Sequence, residues 1–403
     1  MSLWKIVFKN IVQRKLSSTL TAASIGLGVA VVVAVLALRA QSREGFSQSA
    51  FGYELVVGAK GSALQLVLNT VYHMDRSPGN LPWARYRDLA AHKAVAAAIP
   101  MSVGDSLRGA RIVGTTDAFF SAFNFEIVGR PFRFDAARLE QAMAGKEADG
   151  PFEAVIGAAA AERTGLKIGD TFQASHGVEE AGETHAEKWT VVGILKPTGT
   201  SNDRAIFINL DSFYEIKGHQ LASQISAVIV KTRSAGAALQ LQYDLNQLPD
   251  CMAVVPAQVM VEFFDKFDWV PLLLLAVSAL VVVMAAVSIF VAIYNSMSER
   301  RRAIAIMRAL GARRTTVLSI VLLEATALCF LGSLGGILLG HGLTAIAGSV
   351  LSAGSGISIS ALAFRPEELV VLGGVVVLGA LAGILPALKA YRTDIADGLN
   401  PTS

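Results

Sequence analysis

Five stretches of this 403-residue chain carry no Asp, Glu, Lys or Arg: Leu16–Leu38, Trp269–Ser298, Thr315–Leu323, Ala325–Phe364 and Leu369–Leu388. All but the third exceed the roughly 18 residues at which an apolar run reads as a bilayer-crossing helix. Only 17% of the residues are charged, against about 25% in a soluble globular protein. A cytosolic enzyme, a nucleic-acid binder and a disordered scaffold are excluded. The chain is an integral membrane protein.

Four transmembrane helices account for the runs, at 17–38, 270–295, 316–346 and 368–388. They leave an N-terminal segment 1–16, a large domain 39–269, a loop 296–315, a short loop 347–367 and a tail 389–403. Basic residues flanking the spans set the orientation. The N-terminal segment, the 296–315 loop and the tail together hold twelve basic and three acidic residues, while 42–268 holds 21 basic and 26 acidic. Both termini and the 296–315 loop are therefore expected in the cytoplasm, and the large domain and the 347–367 loop outside. A cleaved signal peptide fits the first span less well, because its charge-free run exceeds the 7–15 residues of such a core and no small-x-small site follows. Leu3, Trp4, Val7 and Ile11, with Lys5 and Lys9 opposite, fit an amphipathic helix on the inner leaflet. A simple extension of the first span fits the same residues.

The outer domain reads as mixed α/β. Strands are expected at Glu54–Val57, Arg111–Gly114, Ala154–Ile156, Thr190–Leu195, Ala205–Ile208 and Ala227–Val230, which are rich in β-branched residues. Helices are expected at Pro82–Ala98, Phe134–Ala144, Ala158–Thr164 and Ala235–Leu248. The polar stretch Ser175–Glu187 reads as a solvated loop, and the glycine-rich Leu55–Ala63 as a turn with no helix start behind it. The fold class is thus four membrane helices with a large mixed α/β extracytoplasmic domain between the first and second.

The most informative motif lies in the 296–315 loop. Ala303, Ile306, Met307 and Leu310 recur at helical spacing, Glu299, Arg300, Arg301, Arg302 and Arg308 supply charge, and Gly311 followed by Ala312 supplies a stop. A topology anchor would need the arginines but not the apolar stripe. A short amphipathic helix inside the cell is a docking element, whose apolar side fills a groove on a partner.

The run Glu299-Arg-Arg-Arg, Ile304, Met307-Arg-Ala-Leu-Gly-Ala312 resembles the coupling loop of ABC permeases of the MacB/FtsX type, which include LolC and LolE. Glu324-Ala325, Gly332, Gly335-Gly336 and Gly340 resemble that family's third span. Gly383-x-Leu-Pro-Ala387, Arg392-Thr-Asp394 and Asp397-Gly-Leu399 resemble its C-terminal end, and Asn10, Arg14-Lys15, Thr19-Leu-Thr21 and Gly26 its N-terminal start. The order of one span, outer domain and three spans also matches.

The resemblance implies a mechanotransmission permease in a bacterial inner membrane. It would form a dimer with a second permease copy, bind an ABC ATPase dimer, and work with a periplasmic adaptor, substrate-binding protein or lipoprotein. Its coupling residues would be Glu299, Arg300, Arg301, Arg302, Ile304, Met307, Arg308, Gly311 and Ala312. ATP and Mg would be bound by the partner, since no G-x-x-x-x-G-K-[ST] phosphate loop occurs in this sequence. The chain itself is expected to bind no cofactor and to catalyse no reaction. Two functional classes follow: moving a substrate (lipoprotein, peptide, lipid or small molecule), or activating a periplasmic partner without cargo, as FtsX-like proteins do. The outer domain of about 227 residues favours transport. A metal-linked system ranks third.

Three further features stand out. Glu324 is the only acid within the apolar runs, and such a carboxylate is a functional candidate by default. At about 1.5 Å per residue it sits roughly 15 Å beyond Arg314, either buried or, if the span starts later, interfacial. Gly332, Gly336 and Gly340 form a doubled small-residue motif, with Ala22, Gly26, Ala30 and Gly379, Gly383 as counterparts. Such motifs let helix backbones approach closely, either within one chain or between two. Finally, His73 with Asp75, and His176 with His185, tempt a zinc reading, but their spacings form no compact site and no metal is assigned. A reporter fused after Ser403 is expected to be active only when it functions in the cytoplasm; periplasmic activity would overturn the topology.

Overall fold

The computed structural model describes residues 3–45, 54–146, 150–177, 184–216, 223–267, 269–309, 311–355 and 360–392. It divides into a membrane unit (1–41, 267–349 and 359–403) and an outer unit (42–266 with 350–358).

In the membrane unit, an N-terminal helix Leu3–Gln13 precedes the first span helix Lys15–Gly45, with a break at Arg14. A single turn residue, Arg14, separates the N-terminal helix from the first span. The second span helix is Trp269–Ala309, the third Arg314–Ser355 and the fourth Pro366–Arg392. Among the described residues, Lys15–Ser42, Arg314–Val350 and Pro366–Ile384 are each long and apolar enough to cross a membrane. A fourth span results when Pro256–Lys266 and Trp269–Met284 are counted as one.

Glycine decides how these helices meet. A Cβ built on Gly332 would lie 2.9 Å from the Ala22 carbonyl oxygen, and one on Gly336 2.6 Å from that of Gly26. One on Gly340 would lie 2.8 Å from Val33 Cβ. The Gly332–Gly336–Gly340 ladder therefore seats on the Ala22–Gly26–Ala30 ladder of the first span within one chain. On the fourth span, Gly379 faces Cys329, and a Cβ on Gly383 would stand 3.0 Å from Ala325 Cβ. The third span is thus gripped by small residues from two neighbours. Around these contacts Ile25, Val29, Val33, Val317, Val321 and Ala325 form the unit's apolar core.

The outer unit is built on a mixed sheet in the order Cys251–Val254, Leu55–Ala59, Ala227–Thr232, Val95–Leu107, Ala110–Thr115, Ile206–Asn209, Glu153–Ile156, Trp189–Leu195 and Ile127–Gly129. Its central strands alternate between two cores. Val57, Val228, Ile206 and Ile156 face one, and Val56, Ile229, Phe207 and Val155 the other. Burial on both faces explains their near-continuous apolar sequence.

All six expected strands are present, within one or two residues. The expected helix Pro82–Ala98 is shorter, Trp83–Ala90, because Val95–Ala98 opens the 13-residue strand Val95–Leu107. Leu55–Ala63 is also corrected. A helix does start there, Ala63–Thr70, with Ser62 as N-cap accepting from the Gln65 N–H.

Arg138 ties this unit together. Its Nε and Nη2 each donate to Glu215 at 2.6 Å, and Nη1 to Asp211 at 2.7 Å. The Pro151 and Gly150 carbonyls take the remaining two donors at 2.9 and 3.1 Å. All five guanidinium donors are used, Arg138 and Asp211 are buried, and Glu215 is nearly so. Burial pushes the Asp211 carboxyl up to about 6 against the pull of Arg138. Removing one partner of a buried ion pair costs about 3–5 kcal/mol. Arg138→Met is therefore expected to destabilise the outer unit by that order, read from denaturant unfolding followed by the fluorescence of buried Trp189; an unchanged midpoint would refute the lock.

Candidate functional site

The 296–315 loop is not a free-standing helix. The second span helix continues without interruption to Ala309, so the segment that carries the docking motif is the end of a 41-residue rod. Gly311 ends it with φ +97°, where its N–H bonds to the Arg308 carbonyl at 3.0 Å and the Ala312 N–H to that of Met307 at 3.0 Å. This paired 5→2 and 6→1 closure is the Schellman arrangement, and its left-handed residue favours glycine. The third span helix follows at Arg314.

The apolar positions separate. Ile306 is 44% exposed, whereas Met307 is half-buried against the membrane unit's own core. Met307 therefore belongs to the chain's internal packing, and Ile306 offers the outward apolar side. That corrects the expectation of a stripe aimed wholly at a partner. Arg308 is half-buried, and Gly311 is exposed. Leu310 and the side chains of Glu299, Arg300, Arg301, Arg302 and Ile304 lie outside the described residues.

Glu324 is 7% exposed, and its Oε2 accepts from Asn10 Nδ2 at 3.4 Å. Asn10 sits on the N-terminal helix, whose inner side carries buried Val7. The outer side shows Trp4, Lys5, Phe8 and Lys9, the mixture of aromatic and basic groups that an interfacial helix carries. Trp4 thus lies on the outer side with the lysines, and not on the packed side with Val7. The carboxylate joins the N-terminal helix to the third span near the start of the first. Sequence reading singled out Glu324 but not its partner, 314 positions away.

A second polar cluster lies toward the other end of the bundle. His341 Nδ1 meets the Ala361 carbonyl at 2.6 Å and Nε2 meets Glu368 at 3.1 Å. Both ring nitrogens thus face oxygen atoms, one of the backbone and one of a carboxylate. Beside it Gln41 and Ser360 exchange two hydrogen bonds, at 3.0 and 2.6 Å. The carboxylate facing His341 is that of Glu368, 27 residues on.

In the outer unit His73 serves the fold. Its Nε2 donates to the Asn202 side-chain oxygen at 3.0 Å, and burial lowers its pKa to about 4, keeping it neutral. The residue lies in a left-handed turn (φ +53°) with Asp75 (φ +62°). Arg204 donates to the Tyr72 carbonyl at 3.0 Å, and Arg111 to that of Asp75. His73 and Asp75 form no joint ligand set. His176 and His185, by contrast, are brought together, and the residue uniting them is Asp105.

Comparison with known proteins accords with this architecture. A family model for the MacB-like periplasmic core domain matches residues 18–248, and one for the FtsX-like permease C-terminal region matches 275–395. The ABC transporter permease YtrF of Bacillus subtilis is 27% identical over 237 residues, covering 54% of this chain and 53% of its own. The macrolide export ATP-binding/permease protein MacB of Syntrophobacter fumaroxidans is 35% identical over 122 residues, covering 30% of this chain and 16% of its own. The chain thus spans well under two thirds of either relative. The solved periplasmic region of MacB from Actinobacillus actinomycetemcomitans aligns over 53% of this chain and 94% of its own, at 12% identity and a TM-score of 0.35.

Proposed function

The chain belongs to the family of ABC transporter permeases that join a MacB-like periplasmic core domain to an FtsX-like membrane part, and from that premise we propose that it passes force from a separate ABC ATPase to its outer domain. The ATPase dimer would dock on the inner end of the second span rod, around 299–312. The work would extract or export a lipoprotein, peptide, lipid or small molecule. In this proposal both termini and the coupling segment would lie on the cytoplasmic side of a bacterial inner membrane, with a second permease copy completing the assembly and a periplasmic adaptor or lipoprotein at the outer domain. The chain's own part is mechanical, with ATP and Mg held by the partner.

The observation that carries the reading is the unbroken helix from Trp269 to Ala309, closed by Gly311. A separate short helix on a flexible loop would lose displacement at its joints. A continuous helix with one residue, Met307, seated in the bundle core and the next-door Ile306 exposed delivers a push to the spans directly. Asn10 and Glu324 would hold the N-terminal helix in step with the third span.

The two apolar residues make opposite demands on a test. Ile306→Asp is expected to leave a stable, inserted permease that loses co-purification of the ATPase and at least tenfold of its stimulated ATP turnover. Met307→Asp is expected instead to lower the yield and melting temperature of the permease alone, since it buries a charge. An Ile306→Asp complex with normal binding and turnover would refute the docking role.

A further inference from the structure

The strand Ser175–His176 pairs antiparallel with Val95–Leu107, placing His176 directly opposite Asp105. The Gly177 N–H bonds to the Gly104 carbonyl at 2.8 Å, and Ser106 Oγ donates back to the Gly177 carbonyl at 2.8 Å. The returning chain is pinned equally well. Ser175 and Thr184 form an antiparallel bridge, the His185 N–H bonds to the Ala174 carbonyl at 2.9 Å, and Gln173 Nε2 donates to the His185 carbonyl at 2.9 Å. Both ends of what the sequence presents as a solvated loop are therefore fastened to the sheet, and the fastening converges two imidazoles on one carboxylate.

The carboxylate is fully buried, His185 is 12% exposed and His176 61%. His185 Nε2 lies 3.3 Å and His176 Nδ1 3.5 Å from the same oxygen, Asp105 Oδ1. The two rings meet edge to face, 5.7 Å between centroids, and the three potential ligand atoms all lie within 4.8 Å of one another. These separations discriminate between two uses. A charge-assisted N–H···O bond settles near about 2.8 Å. Ligand atoms around a tetrahedral ion with bonds of about 2.0–2.1 Å stand about 3.3 Å apart, the edge of that tetrahedron. Both nitrogen–oxygen distances match the edge better than the hydrogen bond.

We propose that Asp105, His176 and His185 form a binding site for a divalent transition metal, zinc foremost, on the outer domain. Two imidazoles and a carboxylate are the donor set that zinc takes in open sites, with a fourth position left to water or to an exchanging ligand. The first two ligands come from paired strands and the third from the far side of the hairpin. A bound ion therefore clips the hairpin to the sheet edge. Nothing in this assignment depends on ATPase docking, and either can fail alone.

The test uses the full-length chain purified in detergent and stripped of metal, titrated with Zn²⁺ against a chromophoric chelator, with Co²⁺ as a spectroscopic probe of geometry. The wild type is expected to take up one equivalent of Zn²⁺ and to give the intense visible bands of low-coordinate Co²⁺. His176→Ala and His185→Ala are each expected to weaken uptake tenfold or more, and His92→Ala, an exposed histidine elsewhere, to leave it unchanged. His176→Ala keeps the test valid if Asp105→Asn fails to fold, because that side chain is mostly exposed. Absence of stoichiometric uptake by the wild type would overturn the site, as would uptake indifferent to both histidine variants or equally weakened by His92→Ala.

Discussion

Where Gly26 meets Gly332 and Gly336, the first and third span helices touch backbone to backbone, and any side chain there would collide with a carbonyl oxygen. In lipid the hydrophobic effect does not drive helices together, because the tails are as apolar as the side chains. Association rests on close van der Waals packing and on what small residues permit. The Ala22–Gly26–Ala30 ladder against Gly332–Gly336–Gly340 supplies that contact over two turns of helix. Gly379 and Gly383 repeat it between the third and fourth spans, and Gly28 places the first span against Val281 and Val282 of the second. The glycine ladder gives the third span its close seat on the first, and Gly379 and Gly383 give it a second on the fourth.

Polar pairs mark the two ends of the bundle. Asn10 with Glu324 joins the N-terminal helix to the third span. His341 with Glu368, and Gln41 with Ser360, join the third span to the fourth and the first span to the loop between the third and fourth. Charged or polar groups in a membrane bundle are kept where they pair with one another. Between the ends, small residues meet within an apolar core of Ile25, Val29, Val33, Val317 and Val321.

Much of this was legible in the sequence, for physical reasons. Charge-free runs report the cost of burying ions in lipid, so the spans were plain. β-branched runs closed by Gly or Pro marked six strands of the outer sheet. The strand Val95–Leu107 escaped because its sequence contains Pro100 and Gly104 and begins with an alanine run that favours helix. Its strand state comes from pairing with Ala227–Thr232 and Ala110–Thr115, a tertiary effect. The same limit hid the partners of polar residues. Glu324 and His176 were each visible, but Asn10 and Asp105 are supplied by register and helix packing, which no local spacing encodes. Met307 shows a subtler miss. A helical stripe announces that a side is buried without saying whether the chain itself or a partner buries it.

The glycine ladder of the third span serves the chain's own first span. Neighbouring glycines make a matched pair for testing it, since a Cβ on Gly335 meets nothing within 4 Å and one on Gly336 meets the Gly26 carbonyl at 2.6 Å. The measurement is the thermal stability of detergent-purified Gly335→Leu and Gly336→Leu permeases. Gly335→Leu is expected to melt near the wild type and Gly336→Leu to lose about 1–3 kcal/mol or more through overpacking. Equal stability of the two variants, or a larger loss from Gly335→Leu, would contradict this seating.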